Sequence, residues 1–376
     1  MGANPFLGVI YHAIGGFAAG TFYLPYKKVR GWSWESYWLA GGFFSWILAP
    51  IIFALIFNWG HLAQIYGGEQ VTAKVLFWTY FFGVLWGVGG LTYGLTMRYL
   101  GLSLGIAITL GFCAAFGTII PPLINTMQHS GGVLASMTSF LPVMSETDLV
   151  VMAHTTSGLV LFAGVLVCLG GIVVCGRAGV RRESEQSQEQ RAMMKEDFHF
   201  VKGVWIAIFS GIMSASMAYA FAAGKPIADA AVALHTNKTF SNTPVLIIIL
   251  LGGFTTNFVW CMFLNWKNAS FKDYVSAPAG VSITLNYLFS AIAGVTWYLQ
   301  FFFYGMGTTK MGAYDFSSWT LHMAFIIVFG NLWGIALKEW FGTKQKTQLI
   351  IAAGITVLIL STVVVGWGNY LGLPAK

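Results

Sequence analysis

Ten long stretches of this chain contain no aspartate, glutamate, lysine or arginine. A helix needs about 20 apolar residues to cross about 30 Å of hydrocarbon, and each stretch is close to that length or longer. All 20 basic and 13 acidic residues fall outside them. The pattern predicts an all-α polytopic membrane protein with ten transmembrane helices. The predicted spans are 6–24, 36–57, 75–97, 102–124, 150–175, 203–223, 245–264, 281–304, 316–337 and 349–371.

The composition agrees with this class and excludes others. Hydrophobic residues make up 57% of the chain and charged residues 9%, whereas soluble domains carry roughly 25% charged residues. No basic segment precedes the apolar run that begins at Phe6, so we interpret that run as the first span rather than a cleaved signal. The cysteines form no CxxC motif, so we predict buried thiols and neither a disulfide framework nor a metal site. They are Cys113, Cys168, Cys175 and Cys261.

The basic residues are distributed unevenly between the two sets of loops. The loops after spans 1, 3, 5, 7 and 9 hold 15 of the 20 lysines and arginines. The positive-inside rule therefore places those loops in the cytoplasm. Both termini are then predicted to be periplasmic, in a bacterial inner membrane. The hydrophilic segment 176–202 becomes a cytoplasmic connector between a first half, 1–175, and a second half, 203–376.

Each predicted half contains five spans, and an odd number gives two related halves opposite orientations. Inverted five-helix repeats of this kind are common in secondary transporters. A short self-similarity points the same way, because Tyr93-Gly94 with Gly101 recurs as Tyr304-Gly305 with Gly312 at the same spacing. The parity of the spans is the stronger argument. For the loop between spans 4 and 5, residues 124–149, both a surface position and a re-entrant one stay open.

Glycine is concentrated in spans 1 and 3. Small residues one turn apart let helix backbones approach closely, so we expect these glycines to serve helix packing. The alternative is that weakly filled helices bend during transport. The glycines concerned are Gly15, Gly16, Gly20, Gly83, Gly87, Gly89, Gly90 and Gly94.

Several long motifs resemble one known family. They are YKKVRGWSWE from Tyr26, LWGVGGLTYGLTMRYLGLSLG from Leu85, WYLQFFFYG from Trp297, AYDFSSWTLHM from Ala313 and LKEW from Leu337. The motifs resemble the bacterial L-rhamnose-proton symporter family of the drug/metabolite transporter superfamily, nearly collinearly over the whole chain. The resemblance implies ten spans in two inverted halves and proton-driven uptake of a 6-deoxyhexose across the inner membrane. It also implies two asparagines where this chain has Gly90 and Thr92, so a closely related sugar stays open as the substrate.

Polar residues inside apolar runs are candidates for a transport pathway, because they are costly near hydrocarbon. At 1.5 Å per residue, His12 and His322 each lie about 9 Å below the outer end of their span. Gln300 lies about 6 Å deep on the same count, and Asp315 stands at the outer end of span 9. Three spans from both halves thus contribute to one layer of the membrane.

Proton coupling requires a group that titrates in the working range. Histidine has the unperturbed pKa nearest neutrality, and a desolvated carboxylate can be raised into the same range. We favour Asp315 as the proton carrier, with His12 and His322 as sugar or relay groups. Glu35 and Asp229 are further candidates. The alternative for Asp315 is an N-cap of span 9.

Aromatic faces and planar polar groups are the side chains that hold sugars in mostly apolar pockets. Trp86, Tyr93 and Trp297 are the candidate faces, while Gln300, Asn257, Asn331, His12 and His322 are the candidate hydrogen-bonding groups. Other tryptophans, Trp32, Trp34 and Trp340, are predicted to be interfacial anchors.

Two acidic residues are predicted at cytoplasmic helix ends. Glu35 lies near Lys27 and Lys28, and Glu339 lies beside Lys338. We expect salt-bridged helix ends there, or a cytoplasmic gate made of the same ion pairs.

The best-supported function at this level is a proton-coupled sugar symporter acting on L-rhamnose or a related sugar, with H⁺ and membrane lipids as partners and without nucleic acid. The alternative is a drug or metabolite exporter of the same superfamily. A membrane-embedded enzyme would need a nucleophile and base or a set such as HExxH, and no such motif is present. A channel stays possible on composition alone. No cofactor is implied, and the oligomeric state is not indicated.

Overall fold

The computed structural model describes residues 3–100, 102–143, 145, 147–185 and 199–373. Within these ranges, 10 helices are long and apolar enough to cross a membrane, so the predicted number of spans is confirmed. We label them α1 to α10. They are Pro5–Thr21, Trp34–Phe57, Ala73–Leu100, Leu102–His129, Thr156–Ser184, Phe200–Ala223, Thr243–Lys267, Ile283–Thr308, Ser318–Ala336 and Gln345–Leu371.

Several helices extend beyond the charge-free runs that predicted them. Helix α5 was predicted to end at residue 175 but continues to Ser184. Its backbone hydrogen bonds persist past the apolar run because arginine is a good helix former outside the hydrocarbon. At its other end, the Thr155 hydroxyl caps the helix by accepting a hydrogen bond from the Gly158 N–H at 3.2 Å. Apolar length therefore underestimates helix length on the solvent side.

Helix α2 contains an irregular turn in its middle. Residues Phe43–Leu48 form a π-helical segment that leads into the regular helix Ala49–Phe57. Pro50 lies just after this segment and has no backbone N–H, so the regular i→i−4 hydrogen bond is missing there. The wider π turn is a common response to such a break.

The first and last described residues, Ala3 and Leu373, lie on the same side of the protein. A Cβ atom placed on Gly312 would be 3.3 Å from a Leu373 methyl carbon and 3.7 Å from the Ala3 Cβ. We call this side the terminal face. The opposite side, where α5 ends at Ser184, is called the connector face. There the Glu185 carboxylate accepts a hydrogen bond from the backbone N–H of Lys344 at 2.8 Å.

The major packing partners of each helix lie in the other half of the chain. Helix α1 packs against α8 and α9, while α6 packs against α3 and α4. Helix α5 packs along α10, and α2 packs against α7. The pairs follow one rule in both halves. If every helix is replaced by the helix at the equivalent position in the other half, so that α1 becomes α6 and α8 becomes α3, the same set of pairs results. The two halves therefore interlock and do not form separate bodies.

Two buried asparagines join α2 to α7 at opposite faces. At the terminal face, Asn58 donates a hydrogen bond to the Thr243 hydroxyl at 2.8 Å. At the connector face, Asn265 accepts one from the Ser36 hydroxyl at 3.1 Å. Ser36 and Asn58 are separated by the same number of residues as Thr243 and Asn265. The two ends of the α2–α7 pair thus use equivalent residues from the two halves.

A second set of equivalent positions relates α3 to α8. One constant spacing separates Gly83 from Gly294 and Trp86 from Trp297. Gly83 lies against the backbone of Ile249 in α7, and Gly294 lies against the backbone of Gly41 in α2. The two tryptophan rings meet each other, with centroids 5.4 Å apart. They occur near the middle of their helices, so they lie at the centre of the bundle.

The glycine contacts largely confirm the packing prediction. A Cβ on Gly15, Gly16, Gly20, Gly83, Gly87 or Gly89 would press on a neighbouring helix. Gly90 and Gly94 differ, because a Cβ at either position would meet nothing within 4 Å. Close helix approach therefore explains six of these eight glycines.

Gly83→Ala is expected to destabilise the protein strongly, because its methyl group would overlap the Ile249 backbone and force α3 away from α7. We expect a loss of at least about 2 kcal/mol, within the range of overpacked cores. Gly90→Ala is the matched control in the same helix and should be neutral or slightly stabilising. Thermal unfolding in detergent measures both. Equal melting temperatures for the two variants would contradict this packing account.

The burial of the cysteines and tryptophans tests two of the sequence predictions. All four cysteines are buried and free, as expected. Trp34 is 37% exposed, which fits an interfacial position. The anchor prediction is wrong for Trp32 and Trp340, which are buried at 8% and 7%. Trp32 packs against Tyr287, with centroids 4.8 Å apart, and Trp340 lies under an arginine. Sequence position near a helix end did not reveal these partners.

Candidate functional site

A large cavity opens at the terminal face, with a volume of about 1260 Å³. Its wall includes the terminal-face ends of α3, α4, α6 and α8 and part of the segment between α4 and α5. That segment contains a short helix, Gly132–Thr138. The loop whose conformation the sequence left open therefore contributes to the cavity wall. Charged residues of both signs line the cavity, namely Lys74, Lys225, Lys238, Asp229 and Asp315.

Tyr304 lies where this cavity meets the helix bundle. The residue lines the cavity, yet it is only 2% exposed. It contacts Phe221 at 4.8 Å between ring centroids and Trp319 at 5.5 Å. On the same count it contacts His12 at 5.4 Å and His322 at 5.2 Å. The tyrosine thus stands between the cavity and a pair of histidines.

The two histidines are fully buried and share Tyr304 as a neighbour. His12 lies on Gly307, whose Cβ position would be 2.7 Å from His12 Nε2, so only glycine leaves room for this ring. Within the described ranges, neither ring nitrogen of His12 or of His322 has a hydrogen-bond partner. An unpaired buried polar group costs about 1–3 kcal/mol. The protein therefore retains two costly side chains at one place.

Helices α4 and α9 meet beside this cluster. The Thr118 and Thr320 hydroxyl oxygens are 2.6 Å apart, and Trp319 Nε1 donates a hydrogen bond to the Cys113 carbonyl at 3.1 Å. A Cβ on Gly117 would run into the Trp319 ring. This contact closes the bundle between the first and second halves at the depth of Tyr304.

An aromatic cluster occupies the centre of the bundle. Trp86, Trp297 and Phe301 form a triangle with centroid separations of 5.4, 5.5 and 5.1 Å. Trp46 packs edge-on against Trp297 at 5.5 Å. Phe301 also contacts His322 at 5.9 Å, so the cluster continues into the histidine pair. Both tryptophans that the sequence proposed as sugar-stacking faces are present here.

Gln300 and Asp315 lie near this group. Gln300 is buried at 5% one turn before Tyr304, and its backbone carbonyl faces Gly15 of α1. Asp315 is half-buried in the 3₁₀ segment Gly312–Ser317 and lines the cavity. Ser317 is the residue before α9, and it makes no side-chain capping hydrogen bond. Both the proton-carrying role of Asp315 and the alternative that it caps this helix stay predictions.

The remaining sugar candidates lie elsewhere. Asn257 accepts a hydrogen bond from Trp38 Nε1 at 3.0 Å and donates one to the Gly253 carbonyl, so it joins α7 to α2. Asn331 donates to the Ile327 carbonyl in its own helix, nearer the connector face. Tyr93 is half-buried in the connector-side part of α3. The structure does not bring these three residues to the histidine pair.

Glu35 belongs to a polar network at the connector face. It is 4% exposed and accepts hydrogen bonds from Asn268 at 3.0 Å and Ser270 at 2.7 Å. Within the described residues no salt bridge joins it to Lys27 or Lys28, so the predicted ion pairs are wrong. The uncharged donors Asn268 and Ser270, which follow α7, bind the carboxylate instead of the lysines. Lysines close to Glu35 in the sequence gave no indication of these partners.

Glu339 has an ion-pair partner that the sequence did not indicate. Arg182 Nη1 lies 3.5 Å from a Glu339 carboxylate oxygen, and its guanidinium stands over the Trp340 ring at 4.9 Å. Because α5 extends beyond its apolar run, Arg182 reaches the end of α9. The sequence did not indicate this contact, because the helix was predicted to end at residue 175, before Arg182.

A buried lysine lies at the terminal face between α8 and α9. Lys310 is 2% exposed, and its Nζ donates a hydrogen bond to the Thr239 hydroxyl at 2.8 Å. Burial lowers the pKa of Lys310 from its usual value, and nearby Lys238 adds to the effect. Among the described residues, no group of three or more histidine, cysteine or acidic side chains is placed to hold a metal ion.

Tyr304, Phe221, Trp319 and Gly307 were missed as site residues. Aromatic residues are frequent in every span, so their presence alone carried no signal. One signal was available, because Tyr304-Gly305 repeats Tyr93-Gly94 in the first half.

Buried titratable groups, a central aromatic cluster and a cavity open to one face, all within ten membrane helices, define a membrane transporter. Comparison with known proteins gives the particular kind. The profile of the L-rhamnose-proton symport protein family matches residues 1–130 and 131–370. The chain belongs to that family, whose members are transporters and not enzymes.

Individual relatives extend over nearly the whole chain. An L-rhamnose-proton symporter of Klebsiella pneumoniae (strain 342) is 36% identical over 368 residues, covering 96% of this chain and 97% of that protein. The L-rhamnose-proton symporter of Yersinia pestis (strain Pestoides F) is 37% identical over 369 residues, with the same coverage.

Proposed function

We propose that this protein imports L-rhamnose, or a closely related 6-deoxyhexose or pentose, together with protons across the bacterial inner membrane. The observation that carries the proposal is the near full-length similarity to proteins named L-rhamnose-proton symporter. The ten-helix fold and the buried histidine pair support it. The exporter alternative has no support from the family or from these relatives.

The two halves, 1–175 and 203–376 with the connector 176–202 between them, are proposed to be inverted repeats. The exchange of helix partners between halves and the equivalent residues Asn58 and Asn265 support this arrangement. The terminal face is proposed to be periplasmic, because the loops of the connector face carry most of the basic residues. The substrate would then move by alternating access.

The sugar is proposed to bind beside the central aromatic cluster, with Trp86 and Trp297 against its C–H faces. Gln300 and His322 are the nearest candidates for hydrogen bonds to the sugar hydroxyls. Gln300 precedes Phe301 in the chain, and the His322 ring contacts the Phe301 ring. Asn257 is not assigned to this proposed site, because both of its amide atoms are already hydrogen-bonded within the α2–α7 contact.

Asp315 is proposed to take up the proton from the terminal-face cavity, which it lines. His12 and His322 are proposed as the relay behind Tyr304. Glu35 lies at the connector face and is the alternative site of proton release. The transport cycle does not change the sugar chemically. The protein's task is therefore to bind, orient and release the sugar and one or more protons.

Competition for binding tests the sugar specificity. Wild-type protein in detergent is expected to bind L-rhamnose more tightly than L-fucose, L-lyxose or D-glucose, as measured by displacement of radiolabelled L-rhamnose. Gly90→Asn should change the ratio of affinities about tenfold, because the open space at Gly90 can hold an amide that bonds a hydroxyl. Gly170→Asn, in α5 and also without neighbours within 4 Å, is the control. Tighter binding of another sugar by the wild type would reject L-rhamnose as substrate.

A further inference from the structure

Tyr93 and Tyr304 occupy equivalent positions in α3 and α8 but have unlike surroundings. The spacing between them equals that between Trp86 and Trp297. Tyr304 is 2% exposed and contacts four rings, those of His12, Phe221, Trp319 and His322. Tyr93 is half-buried, and within the described residues no aromatic ring or imidazole stacks on it. Equivalent side chains are thus packed in one half and loosely surrounded in the other.

The residues beside each tyrosine show the same difference. A Cβ on Gly305 would lie 3.0 Å from the Asn242 Cβ and 3.5 Å from the Phe221 ring. A Cβ on the equivalent Gly94 would meet nothing within 4 Å. One turn earlier, α8 has the buried Phe301, whereas α3 has Gly90 at the same spacing, again with open space. The structure is therefore closed around Tyr304 and open around Tyr93.

The open space next to Tyr93 lies inside the bundle. Residues four apart share a helix face, so Gly90 and Gly94 follow Trp86 along one side of α3. Trp86 points at Trp297 and Phe301 of α8, which fixes this side as the inward one. Gly90 and Gly94 lie on the connector side of Trp86. The two open positions therefore follow the central aromatic cluster along α3 in the direction of the connector face.

We propose that Tyr304 and Tyr93 are the two gates of alternating access, Tyr304 towards the terminal face and Tyr93 towards the connector face. In this structure the Tyr304 gate is closed and the Tyr93 gate is open. In the opposite state the packing is exchanged, so that Tyr93 becomes enclosed and Tyr304 is released into the terminal-face cavity. The proposal rests on the proposed transport function. It assigns positioning roles to Tyr304 and Tyr93, at the two ends of the proposed sugar pathway.

The Tyr304 gate carries the titratable neighbours. His12 comes from α1 and His322 from α9, and Asp315 lines the same cavity as Tyr304. From α4, Cys113 accepts a hydrogen bond at its backbone carbonyl from Trp319, the fourth ring around Tyr304. Opening this gate therefore changes the surroundings of both histidines at once. A proton from the terminal face can reach them when Tyr304 moves, whereas the Tyr93 gate has no stacked imidazole among the described residues.

Cysteine labelling in the full-length protein tests the gates. Gly94→Cys and Gly305→Cys occupy equivalent positions, and the native cysteines are all buried, so wild type gives the background. In oriented vesicles without sugar, a membrane-impermeant maleimide should label Gly94→Cys from the connector face at least about tenfold faster than Gly305→Cys from the terminal face. The exposed Glu69→Cys and Lys272→Cys, one on each face, verify orientation and should label at constant rates.

Two states that exchange must label reciprocally. Any sugar or pH condition that speeds labelling of Gly305→Cys should slow labelling of Gly94→Cys. Tyr304→Ala should raise labelling at Gly305→Cys and cause sugar leak without protons, while Tyr304→Phe should retain the ring contacts and prevent the leak. Labelling that rises at both positions together, or a Tyr304→Ala variant without leak, would overturn the proposal. Reciprocal labelling without any L-rhamnose transport would instead reject the proposed substrate and leave the gates in place.

Discussion

Asp315→Asn is expected to abolish proton-driven accumulation of the sugar while leaving sugar binding intact. One proton crossing about 150 mV releases about 3.5 kcal/mol, at about 2.3 kcal/mol per 100 mV. That supports an accumulation of several hundredfold at about 1.4 kcal/mol per decade. Asparagine has the shape of aspartate but cannot carry the proton, so the accumulation ratio should fall to about one. Uptake of radiolabelled sugar into proteoliposomes with an inward proton gradient measures the ratio.

Glu69→Gln is the matched control for this variant, because it neutralises an exposed carboxylate on the same face. It should accumulate sugar like the wild type. Equilibrium binding of the sugar to Asp315→Asn in detergent should stay within about twofold of wild type, a difference of about 0.4 kcal/mol. If Asp315→Asn still concentrates the sugar, the coupling role passes to His12, His322 or Glu35.

His322→Leu is expected to raise stability and remove coupled transport at the same time. His322 is fully buried without a partner for either ring nitrogen in the described ranges, and leucine fills a similar volume without polar atoms. Relief of that cost should add about 1–3 kcal/mol to the free energy of unfolding, which is a few degrees in melting temperature. Loss of the relay should reduce accumulation about a hundredfold. A gain in stability with a loss of activity is the usual result of replacing a functional side chain that destabilises the fold.

Asn58→Leu is the control, because Asn58 is equally buried but hydrogen-bonded to Thr243 and Thr236. It should lower the melting temperature, since its partners lose their hydrogen bonds. Thermal unfolding and proteoliposome uptake are measured on both variants. A His322→Leu protein that transports normally would show that this histidine is only structural, and the relay would then rest on His12.

The ten helices were predictable because hydrocarbon excludes charge along the entire length of each span. The same criterion misjudged the ends, as α5 shows, because a helix can continue beyond the membrane where charged side chains are solvated. Depth along each span was also predictable from residue number. It placed His12 and His322 in one layer, and the structure shows that both contact Tyr304.

Depth does not show which side of a helix faces which neighbour, so it could not decide among residues of equal depth. Asn257 and Trp86 both looked suited to a sugar, yet Asn257 contacts Trp38 while Trp86 faces the centre. Glu35 is a similar case, because its partners Asn268 and Ser270 come from the other half of the chain. Tyr304 was hidden by its residue type, since an aromatic ring in a span indicates nothing unusual until its neighbours are known.

The most direct test of the central claim is uptake of radiolabelled L-rhamnose by the wild-type protein in proteoliposomes, with and without an inward proton gradient. Proton-coupled symport predicts saturable uptake above equilibrium that stops when a protonophore collapses the gradient. Uptake that only equilibrates the sugar, and is unaffected by the gradient, would contradict proton-coupled symport.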